Sequence, residues 1–324
     1  MKAVVYERFG PPDVLELREV ERPTPGDGEV LVRVRAVSLN PVNRYMMSGT
    51  PWFGRPSMGL RRPKDTRLGS DFAGTVEAIG EGVTAFRPGD EVFGVAAGAF
   101  AEYVSVREDG PVAPKPANLT LEQAAAVPLA AITALQGLRD AGGLRTGQEV
   151  LVNGAAGGVG TFAVQIAKEL GADVTAVCST RNLEQARSLG AADVVDYTRE
   201  DFTSRGRRYG LLLDVTGTRS WRDYRRTLEP QATLVLIGAP KGGRLLGPAG
   251  HMARVWLGAR RSSRKVVFCM ANMNQADLTW LCDRLEAGAI RPVVDRSYDL
   301  SEIADAFRYL GEGHARGKIV VTIP

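Results

Sequence analysis

Between Val150 and Leu170 the chain reads VLVNGAAGGVGTFAVQIAKEL: an apolar run, a glycine-rich turn and a stretch with helical spacing follow one another without a break. A turn lacking side chains lets a pyrophosphate approach the backbone. A helix starting directly behind it offers unpaired N–H groups and the positive end of its dipole. Against the template G-x-G-x-x-G the turn supplies Ala155, Gly157 and Gly160, so the context has to carry the reading. Residues 150–156 fit a buried strand, Val164, Ala167 and Leu170 recur at helical spacing, and a second apolar run, Asp173 to Cys178, follows a helix-ending Gly171. The chemistry expected here is binding of a dinucleotide and, through it, oxidation and reduction.

The end of the second strand bears on which dinucleotide is bound. A site for NAD places Asp or Glu about 20 residues after the glycines, where it binds ribose hydroxyls. Here the strand runs out through Cys178, Ser179, Thr180 and Arg181, with no carboxylate among them. Hydroxyls beside a guanidinium suit an added 2′-phosphate, because charge-assisted bonds from Arg to phosphate are strong. NADPH is expected over NADH.

The elements that must hold these residues follow from the length and the punctuation of the chain. At 324 residues, two domains are expected, and 44% hydrophobic with 24% charged residues fits an ordinary globular protein. A formal net charge of +4 is small for this size and does not indicate a nucleic-acid binder. The cluster Arg260, Arg261, Arg264 and Lys265 within 254–265 is read as a solvated loop or helix end. The start MKAVVYERFG has no signal-like segment and no apolar run approaches the ~20 residues of a membrane span, so a cytoplasmic protein is expected. Three cysteines, Cys178, Cys269 and Cys282, form no close pair and read as reduced packing residues.

Residues 1 to about 120 carry short strand-like runs (2–6, 29–38, 74–79, 91–95 and 100–106) between Pro and Gly turns, a β-rich pattern. Thr120 with Gln123 three residues on marks a helix start. Strands at 150–156, 173–178, 192–196, 211–215, 233–237 and 266–270 then alternate with helical stretches at 158–170, 182–189 and 220–228, the count of a doubly wound sheet. Helices at 275–287 and 301–310 and a strand at 318–323 close the chain.

Five segments in order, SLNPVNRYMMSG (38–49), GSDFAGTVEAIGEGVTAFRPGDEVFG (69–94), PLAAITALQGL (128–138), VNGAAGGVG (152–160) and ARGKIVVTI (315–323), span nearly the whole chain. In them the chain resembles the medium-chain dehydrogenase/reductase superfamily, in its zinc-independent quinone oxidoreductase (zeta-crystallin-like) branch. The resemblance implies an α/β protein with a β-rich GroES-like catalytic domain, 1–122 with 273–324, and a doubly wound Rossmann domain, 123–272. It also implies a homodimer joined through the strand 266–270. By the same resemblance Asn43 and Tyr45 lie beside the nicotinamide and substrate, with Tyr45 the candidate proton donor and solvent the alternative source. Ala155, Gly157, Gly158, Val159 and Gly160 form the pyrophosphate turn, and Ser179, Thr180, Arg181 and Tyr197 face the adenosine phosphate. Thr133, Gly238, Ala239, Phe268 and Met270 belong to the nicotinamide end, and Lys318 reaches toward the phosphates.

Metal-bearing relatives use Cys and His ligands in the first domain. Residues 1–177 contain neither, and His251 and His314 are late, isolated and read as surface residues, so no metal is expected. Without a Lewis acid an unactivated ketone is hard to reduce, whereas quinones and enones delocalise the charge that an arriving hydride brings. The expected reaction is hydride transfer from NADPH to a small-molecule quinone or α,β-unsaturated carbonyl. An enoyl-thioester reductase using Arg61, Arg62 and Lys64 on a phosphate-bearing arm, and a non-catalytic NADPH-binding interaction protein, stand as alternatives. The segment from Pro51 to Asp65 is longer and more basic than in the simplest quinone reductases and is a candidate cap over the substrate.

Overall fold

The computed structural model describes residues 1–50, 55–238 and 247–324. The chain divides into two units, Met1–Ile132 with Met273–Pro324, and Thr133–Asn272. The sequence reading put the division at 122/123. It falls later because the helix Leu121–Ala125 packs on strands of the first unit and because Asp71 accepts the Leu129 N–H at the start of helix Pro128–Gln136. The Thr120 cap forms as read: its hydroxyl accepts the Gln123 N–H, and the Gln123 side chain accepts the Thr120 N–H.

In the first unit β1 (Lys2–Val5) pairs antiparallel with β2 (Glu16–Glu19). Strands β3 (Glu29–Ser38), β4 (Asp71–Ile79), β5 (Glu91–Val95), β6 (Tyr103–Arg107) and β7 (Val112–Pro114) belong to a second, larger sheet. The second unit follows with β8 (Glu149–Asn153), β9 (Asp173–Cys178), β10 (Asp193–Asp196), β11 (Tyr209–Asp214), β12 (Leu228–Leu236) and β13 (Lys265–Phe268). The chain then returns to the first unit with β14 (Val294–Asp299) and β15 (Lys318–Thr322).

The large sheet of the first unit runs β14-β15-β3-β4-β5-β7, with β6 also on β3. β3 is buried along most of its length and takes β4, β6 and β15 as antiparallel neighbours. The core under it gathers Val34, Val37, Phe72, Phe100 and Phe307, with Phe100 edge-on to Phe307 at 6.0 Å. Such buried aromatic and branched side chains each contribute about 1.5–3 kcal/mol of burial. One consequence of the returning strand bears on the site. Val320 pairs with Ser38, and Leu39 donates to Ile319 O at 3.0 Å, which sets Lys318 beside the end of β3.

The second unit is a parallel sheet in the order β10-β9-β8-β11-β12-β13, with the strand order reversing between β8 and β11. Ligands of such sheets bind outside the carboxyl ends of the strands at that reversal. β8, β9 and β11 are mainly apolar and largely buried, β10 and β12 carry exposed or half-buried residues beside their buried ones, and the residues of β13 are half-buried or exposed at the sheet edge. A helix not expected from the sequence, Gly247–Ala259, precedes it. The basic cluster after that helix is partly occupied: Arg260 stacks on Trp256 at 5.0 Å and Arg264 donates to Leu228 O. Among the described residues no helix is long and apolar enough to cross a membrane.

Candidate active site

β8 ends in a turn whose glycines differ in what they are for. Gly154 adopts φ +88, a left-handed conformation that favours glycine, and so takes up the sharp bend one position before Ala155. Ala155 is buried and free of that requirement, which explains a methyl where the template has glycine. At Gly160 a Cβ would sit 2.1 Å from Gly154 O, so the helix Gly158–Glu169 crosses the turn too closely for any side chain. At Gly157, the residue before that helix, a Cβ would meet nothing nearer than 3.8 Å. The protein leaves this space open. Gly157 N closes the turn on Gly154 O, and Thr161 N bonds back to Gly157 O. Gly158, Val159 and Gly160 are the first residues of the helix, whose opening amides lack intrahelical partners and could meet an anion.

Past the ends of the strands lies a cleft of about 370 Å³ lined by Asn153, Tyr197, Thr218 and Arg219. Asn153 donates to Thr216 at 2.9 Å. Behind them Asp214 is wholly buried and accepts from Thr216 N, Thr216 Oγ1, Gly217 N and Tyr224 Oη, all within 2.7–2.8 Å. That carboxylate shapes the loop carrying Thr218 and Arg219, and it drives the Tyr224 phenol strongly upward in pKa, burial being the larger cause. Arg219 pairs with Asp201 at 3.2 Å and lies over Phe202. Asn153, Thr218 and Arg219 were not legible as site residues, since only the sheet order brings them to one edge.

The adenosine end departs from the sequence reading in one respect. No carboxylate follows β9 in sequence, but β10 supplies one: Asp196 pairs in register with Cys178. Its oxygens accept from Thr180 Oγ1 at 2.5 Å, Thr198 Oγ1 at 2.7 Å and Thr198 N at 3.0 Å. The Thr180 hydroxyl, led by its hydrogen bond, holds the Asp196 carboxyl below the usual range. Thr180 thus directs its hydroxyl hydrogen at Asp196 and in this arrangement offers a ligand lone pairs only, which departs from the phosphate-donor role expected of it. Ser179 is half-buried, Arg181 is exposed, and Tyr197 is 54% exposed at the cleft.

At the other end of the unit Thr133 is buried in helix Pro128–Gln136. Gly238 follows β12 so closely that a Cβ would stand 1.8 Å from Val215 O, which accounts for the glycine without a ligand. Phe268 packs on the core of this unit, while Met270 is 94% exposed. Ala239 lies outside the described residues.

In the first unit, helix Pro41–Ser48 carries Asn43 and Tyr45. Asn43 is 0% exposed: its Oδ1 accepts from Asn40 N at 3.0 Å and its Nδ2 approaches Ser70 Oγ at 3.4 Å. The expectation that Asn43 meets substrate is corrected on this geometry, since a fully buried amide has no surface to offer. Tyr45 is 36% exposed. Lys318 also departs from expectation. Its ammonium is buried and donates to Asn40 Oδ1 at 2.6 Å and Asp71 Oδ2 at 3.2 Å, so it is occupied inside the fold rather than extended to a phosphate. The Asp71 carboxylate further accepts from Ser38 at 2.7 Å and Asn40 Nδ2 at 2.8 Å.

Beyond the helix, Arg55 donates to Gly49 O and lies over the Phe9 ring, while Arg61, Arg62 and Lys64 are exposed. Part of the segment read as a cap, 51–54, lies outside the described residues. His314 is exposed, but His251 is half-buried with an enclosed Nε2, and burial lowers its pKa. Cys178 is buried, whereas Cys269 and Cys282 are only partly so.

A glycine turn at the strand-order reversal of a doubly wound sheet, in a chain whose other unit is β-rich and carries a tyrosine on a short helix, defines a two-domain protein of the dinucleotide-binding class. The family described as Alcohol dehydrogenase GroES-like domain matches residues 26–117, and that described as Zinc-binding dehydrogenase matches 189–321. The mouse (Mus musculus) protein named NAD(P)H oxidoreductase RTN4IP1, mitochondrial, is 33% identical over 363 residues, covering 100% of this chain and 89% of its own. The tomato (Solanum lycopersicum) 2-methylene-furan-3-one reductase is 34% identical, with 99% and 79% covered. The solved quinone oxidoreductase of Coxiella burnetii superposes with a TM-score of 0.87 at 30% identity, covering 100% of this chain and 99% of that one. The chain belongs to the medium-chain dehydrogenase/reductase superfamily, in its quinone-oxidoreductase-type branch. Among the described residues no three His, Cys, Asp or Glu side chains gather as metal ligands.

Proposed function

We propose that the protein is an NADPH-dependent reductase of quinones or α,β-unsaturated carbonyls that works without zinc. The reading rests chiefly on the open Gly157 turn combined with an exposed Tyr45 in a unit whose first 132 residues have no Cys or His. Bound NADPH would supply a hydride. The turn amides of 158–160 hold its pyrophosphate, and Ser179, Arg181 and the Tyr197 phenol receive the 2′-phosphate. Tyr45 orients the acceptor carbonyl and gives the proton that balances the hydride, yielding a hydroquinone or a saturated carbonyl. The names of the relatives, an NAD(P)H oxidoreductase and a reductase of an exocyclic enone, support the same class.

A homodimer is part of this reading, because β13 stands at a sheet edge, the helix before it exposes Trp256 and Leu257, and an apolar edge strand calls for a cover. The test is the initial rate of NADPH oxidation with an ortho-quinone, run beside NADH and a control without enzyme. Acceptor-dependent loss of NADPH well above that of NADH is expected, and cofactor binding without turnover would overturn the reading. The exposed Arg61, Arg62 and Lys64 favour one second reading, reduction of an enoyl thioester with a phosphate-bearing arm. A crotonyl thioester turned over faster than the quinone would establish it.

A further inference from the structure

Helix Pro41–Ser48 has only eight residues, too few to be stable alone, so its direction is set by what grips its ends. Asn40, at its N-cap, has an unusual arrangement. An N-cap side chain ordinarily accepts a helix N–H. Here Asn40 Oδ1 instead accepts the Lys318 ammonium at 2.6 Å, and Nδ2 donates to Asp71 at 2.8 Å and Ser70 at 3.2 Å. The helix bonds back to Asn40 by other routes: Asn43 N donates to Asn40 O, and Asn43 Oδ1 accepts Asn40 N. The start of the helix therefore hangs from a buried ion pair whose lysine arrives 278 positions later, on β15. Ser38 and Leu129 N complete the carboxylate, fixing the pair from two further segments.

Desolvating two charges is expensive, and apolar residues of the same volume often serve stability as well. What the pair adds is a fixed geometry, which the Asn40 side chain carries to the helix. We propose that Lys318, acting through Asn40, is a positioning residue that aims Tyr45, an inference that rests on Tyr45 being the group that meets substrate. A displacement of about 1 Å in such a group costs on the order of 100-fold in rate.

Asn40→Ala breaks the link and leaves Lys318 and Asp71 paired. In the full-length protein with an ortho-quinone, kcat is expected to fall at least tenfold while the KM for NADPH stays within twofold. The double variant Asn40→Ala/Tyr45→Phe should be no slower than the slower single variant. A folded Asn40→Ala protein with kcat within twofold of the parent, or losses that multiply in the double variant, would overturn the proposal. If Asn40→Ala does not fold, Asp71→Asn/Lys318→Met removes both charges together and is judged by the same kcat and KM criteria. Full turnover by Tyr45→Phe alone would remove the donor reading itself, whereas a slow Tyr45→Phe beside a fast Asn40→Ala would remove only the positioning role.

Discussion

Lys318 and Asp71 stand 247 positions apart in the chain and meet as an ion pair of 3.2 Å, with 3% and 0% of their side chains exposed. Burial alone would push the lysine's pKa down, and the neighbouring carboxylate opposes that shift. Removing one partner leaves the other charge buried and unpaired. Lys318→Met is accordingly expected to cost about 3–5 kcal/mol of stability. Asp71→Asn/Lys318→Met, which keeps an acceptor for the Leu129 N–H, should cost much less. Urea unfolding of the two variants checks this, and equal losses would show that the charge pairing is not what matters.

Gly157 and Gly160 should answer alanine differently. Gly160→Ala drives a methyl against Gly154 O at 2.1 Å and is expected to destabilise the second unit by about 1–3 kcal/mol along with cofactor binding. Gly157→Ala meets nothing within 3.8 Å and should leave the melting temperature within a degree or two while weakening NADPH binding at least tenfold. Thermal unfolding with and without NADPH separates the two.

Asp196 accepts the Thr180 hydrogen bond at the end of β9, where the 2′-phosphate is expected. Asp196→Asn removes the negative charge and should raise the preference for NADPH over NADH by about three- to tenfold, measured as the ratio of kcat/KM values, since one hydrogen bond to a charged group is worth about 1.5–3 kcal/mol and only part of it is recovered. The carboxyl's depressed pKa also fixes a pH window. Its tie to Thr180 and Thr198 is intact above the unfolded value of 3.8 and is lost as pH falls through the lower folded value. Ionisation of Asp196 therefore adds no pH dependence to stability between pH 5 and 8.

The cysteines should be poor nucleophiles. Burial pushes the Cys178 thiol up to about 11 and the Cys282 thiol up to about 12. At pH 8 roughly one Cys178 in a thousand is a thiolate, about 100-fold fewer than for a free thiol of pKa 9.0. Alkylation by iodoacetamide, followed by mass spectrometry, is expected to be at least that much slower than for glutathione, with NADPH oxidation retained throughout.

The sequence alone determined whatever depends on local pattern. The six strands of the second unit, the turn at 154–160 and the Thr120 cap were legible because apolar periodicity and glycine spacing are imposed by neighbours in the chain. β2 was not legible, since all four of its residues are exposed and leave no alternation to read. The helix Gly247–Ala259 was missed because its three glycines and a proline argue against it locally. Only the tertiary structure decided the polar sites. Asp196 reaches Thr180 through the pairing of β9 and β10, and Thr218 and Arg219 reach the cleft through the order of the sheet. Lys318 reads in sequence as a basic residue before an apolar strand, and nothing near it predicts a carboxylate. It meets Asp71 because β15 returns to pair with β3, and hydrogen bonds between distant segments are fixed by strand register, which no local pattern encodes.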